Sequence, residues 1–173
     1  MLVVGVGDYK LSCDPGEVIT TYALGSCIGV TIHDPIARIG GMLHFMLPDS
    51  GLDALKAQTR PCMFADTGLS RLLQDAYSLG AAKSRTLVRL AGGAQMLDAN
   101  GVFNIGKRNY MAARKILWQS GFMIQSEDVG GTVSRTIRLE ISSGQTWIRA
   151  TGTGEQCGEY PARTGGQEWQ LMC

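Results

Sequence analysis

Histidine is scarce in this chain: there are two among 173 residues, beside five cysteines of which no two are spaced as CxxC. Ordinary zinc sites need Cys and His clustered at short intervals, so a metal centre is not expected. Charge of one sign is lacking too. Sixteen Lys and Arg against fifteen Asp and Glu leave a formal net charge of +1, which excludes bulk attraction to nucleic acid or anionic lipid. No apolar run nears the roughly 20 residues of a membrane span. Residues 1–7 lack the basic leader and long apolar core of a signal peptide. Gly92-Gly93 and Gly130-Gly131 sit in neither a GxGxxG nor a GxxxxGK pattern, so nucleotide binding is unsupported. Heptads and repeats of 20–50 residues are absent. The odd, scattered cysteines (Cys13, Cys27, Cys62, Cys157, Cys173) read as free thiols in a reducing cytoplasm.

The composition is that of a single globular domain: 45% hydrophobic and 18% charged residues in a chain long enough for one self-sufficient core. Short strands are expected near residues 1–7 and 9–13, at 17–22, and then as a hairpin across 28–47. Residues 49–62 are polar and read as a surface loop. Helical spacing of Phe64, Leu69, Leu72, Leu73 and Tyr77 predicts a helix ending near Gly80. A second helix is expected over 109–120, with Met111, Ile116 and Leu117 inside and Gly121 as its stop. Further strands are expected at 86–91, 122–126, 134–141 and 145–150. The sum is an α+β layered fold, mostly antiparallel, with about two main helices. One folded domain should cover residues 1–150, and residues 151–173 form a glycine-rich, loosely held tail.

The chemistry lies in the hairpin. Ala23-Leu24-Gly25-Ser26-Cys27 is a glycine-flanked turn that opens the alternating run Ile28-Gly29-Val30-Thr31-Ile32. If Asp34-Pro35-Ile36-Ala37 is the hairpin turn, with Pro35 at its second position, residues whose numbers sum to 71 face each other. Cys27 then faces His44 and His33 faces Arg38. Alternation puts Ile28, Val30, Ile32, Ile39, Leu43 and Phe45 on one face, and Cys27 with His44 on the other. A thiol beside an imidazole is the minimum equipment for nucleophilic acyl transfer.

An unperturbed cysteine is only about 3% ionised at pH 7, whereas an imidazolium partner that lowers its pKa to about 6 makes it about 90% ionised. The backbone N–H groups of Gly25 and Ser26 are candidates for an oxyanion nest. No acidic residue lies nearby to orient the imidazole; Thr20 and Thr21 offer the nearest hydroxyls. A free cysteine is also a common inert core residue, and His33 beside Asp34 reads as a solvated turn residue. Gly29 and Met42 share the face of Cys27 and His44. A glycine lets a backbone approach closely and methionine adapts to a partner, so both are candidates for substrate docking. Burial under one of the protein's own helices is the competing fate.

The run Thr21-Tyr22-Ala23-Leu24-Gly25-Ser26-Cys27-Ile28-Gly29-Val30 resembles the CheD family of chemoreceptor glutamine deamidases. So do Asp34-Pro35 and Gly40-Gly41-Met42-Leu43-His44-Phe45-Met46-Leu47-Pro48. Further matches are Ala91-Gly92-Gly93-Ala94-Gln95-Met96, Ile105-Gly106-Lys107-Arg108-Asn109, and Glu127-Asp128-Val129-Gly130-Gly131 with Arg135. The resemblance implies a Cys27, His44 and Thr21 catalytic set, and it is the family spacing that selects Thr21 over Thr20. It implies deamidation of particular glutamines on the cytoplasmic helices of methyl-accepting chemotaxis receptors, with release of ammonia and no cofactor. It implies CheC, a phosphatase of the phosphorylated response regulator CheY, as a second partner that the protein stimulates. It also implies a cytoplasmic protein, monomeric when free, with no membrane insertion. Two other readings stay open on the residues alone: a cysteine peptidase or transglutaminase with the same nucleophile, and a module that docks without turnover.

Overall fold

Ile28, Val30 and Ile32 alternate in a strand whose two faces serve two different layers. The structure, a computed structural model, describes residues 1–95, 104–151 and 170–172. In chain order the strands are β1 (Leu2–Val3), β2 (Asp8–Ser12), β3 (Val18–Leu24), β4 (Ile28–Asp34), β5 (Ile39–Phe45) and β6 (Leu87–Gly92). They continue with β7 (Ile124–Val129), β8 (Ser134–Glu140), β9 (Thr146–Thr151) and β10 (Gln170–Met172). Three α-helices accompany them: α1 (Ala54–Thr59), α2 (Ala65–Ser78) and α3 (Ile105–Gln119). One sheet runs β1-β3-β8-β9-β10 and the other β2-β5-β4-β6-β7. Pairing is antiparallel except for β1 with β3 and β6 with β7.

Every residue of β4 and β5 is buried, because the second sheet is the middle layer of three. On one face Ile28, Val30, Ile32, Ile39, Leu43 and Phe45 pack with Leu69 and Leu72 of α2 and Leu117 of α3. On the other, Met42 and Ala91 pack against Ile19, Leu24, Ile137, Leu139 and Ile148 of the first sheet. Emptying any of these fully buried leucine positions to alanine would cost about 2–5 kcal/mol. The layered α+β, mostly antiparallel architecture is therefore as the sequence reads.

The hairpin register differs by two residues. Asp34 pairs with Ile39 and Gly29 with His44, so facing numbers sum to 73. The cause is Asp34: its carboxylate accepts from the N–H groups of Ile36 and Ala37. The turn therefore starts one residue later, after Asp34, and ends at Arg38, which lies in the left-handed region at φ 53°. A slip of two keeps every side chain on its expected face. His33 faces Gly40 rather than Arg38.

Residues 49–62 are not a bare loop. Asp49 caps a single 3-10 turn, Asp53 caps α1, and Cys62 and Met63 are buried. Capping signals were present there, but apolar periodicity was not. α3 starts four residues earlier than apolar spacing indicated, and its Met111 is exposed rather than inside. Of the segment expected as a tail, Gln170–Met172 pairs with β9 and Met172 is buried. The remaining glycines beyond Thr151, together with Met96, Phe103, Cys157 and Cys173, lie outside the described residues.

Candidate active site

Thr21 and His44 meet between the two sheets. Ile19 and Thr21, two residues apart on β3, share its inner face, and the alternation of β5 sends His44 toward the same layer. The Thr21 hydroxyl donates to the Val4 carbonyl at 2.7 Å and lies 2.8 Å from His44 Nδ1. A hydroxyl has one proton and a carbonyl can only accept. The hydrogen-bond pattern thus assigns the imidazole proton to Nδ1, which donates to Thr21, and leaves a lone pair on Nε2. Nε2 is buried and has no hydrogen-bond partner. The backbone at His44 is tied as well: its carbonyl accepts from the Gly7 N–H at 2.7 Å.

Cys27 sits just before β4, one ladder step from Gly29, and so lies diagonally across from His44 rather than opposite it. It packs against the inter-sheet cluster and is half-buried. Its turn is held from three directions. The Gly93 N–H donates to the Cys27 carbonyl at 2.8 Å and the Ala94 N–H to the Gly25 carbonyl at 2.7 Å. Asn109, fully buried on α3, donates from Nδ2 to the carbonyls of Ser26 and Met46, each at 2.9 Å. Gly92 permits the contact with Cys27. It has φ +110°, and a Cβ there would stand 2.2 Å from the Cys27 carbonyl oxygen. The first turn of α3 lies close by for a similar reason: a Cβ on Gly106 would stand 2.4 Å from the Gly93 oxygen.

Burial acts on both side chains in the same sense, against the charged form. Burial lowers the His44 pKa to about 4, and burial raises that of the Cys27 thiol above its ordinary value. This corrects the expectation of an imidazolium that depresses the thiol.

Three other expectations change. The Gly25 N–H donates to the Ala23 carbonyl at 2.9 Å and cannot serve an oxyanion. The N–H groups of Ser26 and Cys27 donate to no acceptor among the described residues. Gly29 and Met42 line no docking surface. Met42 is fully buried, and a Cβ on Gly29 would stand 2.6 Å from Ile137 Cδ1. Glycine does allow a close approach there, but by the protein's own second sheet. His33 is buried as well, with Nε2 donating to the Ile141 carbonyl at 3.0 Å. Among the described residues, no group of three or more His, Cys, Asp and Glu could hold a metal ion. No described helix is long and apolar enough to cross a membrane.

Residue-by-residue reasoning takes Gly92 and Gly93 as a tight turn or close backbone approach, as found, but gives no role to Asn109 or Arg135; all four lie around the turn that carries Cys27. Arg135 pairs with Asp128 and donates to the Gly130 carbonyl, and the Gly130 N–H reaches the Gly92 carbonyl. Their signal was that each lies in a short glycine- or asparagine-bearing motif, without chemistry of its own.

Residues 46–150 match the family model described as CheD chemotactic sensory transduction. The chain is similar to a probable chemoreceptor glutamine deamidase CheD of Solibacter usitatus, 52% identical over 87% of this chain and 89% of that one. It is similar to a second, from Syntrophus aciditrophicus, at 48% over 87% and 94%. The chemoreceptor glutamine deamidase CheD of Thermotoga maritima is 40% identical over 89% and 94%.

Proposed function

From the premise that this chain belongs to the CheD family, we propose that it is a chemoreceptor glutamine deamidase whose nucleophile is Cys27. The observation that carries the reading is the buried Thr21–His44 pair, which leaves the lone pair of Nε2 unused on the face that Cys27 shares. Family membership supports the substrate, a glutamine side chain on a receptor's cytoplasmic helix.

His44 Nε2 takes the Cys27 proton as sulfur attacks the carboxamide carbon, forming the C–S bond. The oxyanion is held by the N–H groups of Ser26 and Cys27. The imidazolium, stabilised through Nδ1–H by Thr21, gives its proton to the departing nitrogen. The C–N bond breaks and ammonia leaves a thioester. Water then attacks with His44 again as base, the C–S bond breaks, and the imidazolium returns a proton to sulfur. The net change is glutamine plus water to glutamate plus ammonia.

The family likeness also supports CheC as a second partner, stimulated by this protein, and a cytoplasmic, monomeric free state. The test is incubation with a purified receptor cytoplasmic fragment. Mass spectrometry should show glutamine-to-glutamate conversion matched by free ammonia. Peptide cleavage or amine incorporation in its place would assign the same nucleophile to a peptidase or transglutaminase. Turnover unaffected by Cys27→Ala would end the mechanism.

A further inference from the structure

Asn109 stands outside the reacting atoms, but among the described residues its side chain joins the two segments bearing them. Its Nδ2 carries two protons, and each goes to a different strand end. One meets the carbonyl of Ser26, immediately before the nucleophile; the other meets that of Met46, two residues beyond the imidazole. An NH2 group holds its two acceptors roughly 5 Å apart, since the N–H bonds diverge at about 120°. The spacing of the Ser26 carbonyl from the Met46 carbonyl, just past the end of the β4–β5 ladder, is therefore fixed by one planar group. That group is itself fixed by complete burial and by the seating of the first turn of α3 on Gly93 and Ala94. The β4–β5 ladder joins the two segments as far as Ile28 with Phe45, and Asn109 extends the tie beyond it, to Ser26 and Met46. The Met46 N–H is engaged with the Met63 carbonyl, and the Gly25 and Cys27 carbonyls are engaged with residues 93 and 94.

We propose that Asn109 is the positioning residue of the site: its carboxamide fork sets how the turn bearing Cys27 sits against the end of the strand bearing His44. The proposal rests on Cys27 and His44 acting together as described above. A group that merely satisfied two buried carbonyls would affect stability alone. One that sets the approach of thiol and imidazole must affect turnover, because a displacement of about 1 Å in a reacting pair costs on the order of 10²-fold.

The experiment uses Asn109→Ser, Asn109→Asp and, as a control on the same helix one turn on, Ala113→Gly. All are assayed on protein verified as folded by circular dichroism. Asn109→Ser should lower kcat on the order of 10²-fold with KM changed less than about threefold. Ala113→Gly, which loosens α3 without touching the fork, should keep kcat near that of the unmodified protein. Asn109→Asp keeps the shape and loses the donors when ionised. Its activity relative to the unmodified protein should climb as the pH is lowered from about 8 to about 6, because a protonated carboxyl regains one donor. A second readout needs no substrate. His44→Ala should alter the rate at which iodoacetamide alkylates Cys27 in the unmodified background and leave it unaltered in the Asn109→Ser background. An equal effect in both backgrounds overturns the proposal. So does an Asn109→Ser enzyme with undiminished kcat, or a loss matched by Ala113→Gly. An unmodified protein that releases no ammonia would overturn the deamidase reading, while the alkylation cycle would still decide the role of Asn109.

Discussion

Replacing Thr21 by valine removes one oxygen and nearly nothing else, which makes it the sharpest probe of the His44 tautomer. Valine matches threonine in shape, so the fully buried position suffers no cavity. Two hydrogen bonds disappear and leave the Val4 carbonyl and the His44 Nδ1–H without partners in a dry layer. Each orphaned group costs about 1–3 kcal/mol, so roughly 4 kcal/mol of stability should go. For a chain of this size, that lowers Tm by about 8–16 °C and leaves most of the protein folded at 25 °C. The kinetic effect is a difference between two states. In the resting enzyme the imidazole is neutral and its bond to Thr21 is worth about 1 kcal/mol; once it is imidazolium the same bond is worth about 2 kcal/mol or more. Losing the increment of roughly 1–1.5 kcal/mol should slow kcat by about tenfold. KM should hold, since Thr21 does not touch the substrate. Ammonia release from a receptor fragment at saturating concentration measures this, with Thr21→Ser, which restores the oxygen, as the rescue. A folded Thr21→Val enzyme with kcat within about twofold of the original would refute the role assigned to the hydroxyl.

Cys27→Ala should abolish ammonia release, whereas Cys13→Ala and Cys62→Ala should retain it, read on the same receptor fragment; activity surviving in Cys27→Ala would remove the nucleophile. His44→Ala should lower turnover by roughly 10²–10⁴. Because His44 is neutral at rest, alkylation of Cys27 against pH should report a thiol titrating above its ordinary value in both proteins. Acid should destabilise the fold through His44. Its pKa is about 4 folded against about 6.5 unfolded, so the unfolded chain binds the extra proton in that window. Stability should therefore fall by up to about 3 kcal/mol as pH drops from 6.5 to 4, and thermal melts of His44→Gln should show a shallower acid limb. Gly29→Lys should fail to fold rather than block a partner, because its side chain would enter the inter-sheet layer at Ile137; a folded, stable Gly29→Lys protein would contradict the layer order.

The sequence made the faces legible more securely than the contacts. Alternation over residues 28–45 assigned Ile28, Val30 and Ile32 to one layer and His44 to the other, and an even register error left that assignment intact. What it could not register was the Asp34 side chain capping its own turn, because that depends on two backbone N–H groups being free at once. The Arg85 guanidinium fixes the same carboxylate from 51 residues away; despite the upward push of burial, it and three backbone N–H groups hold Asp34 well below the usual carboxylate range. The second sheet was the larger omission. Gly29, Gly40 and Met42 look like a surface made for a partner, and they do accept one, but it is β8 and its neighbours. A strand pattern cannot tell a partner in trans from one supplied a hundred residues later in the same chain. That second sheet also explains the chemistry: by covering His44 it drives the imidazole neutral, and through β3 it delivers the hydroxyl that selects the tautomer. The layer that removes the docking surface is thus the one that favours the neutral form of His44.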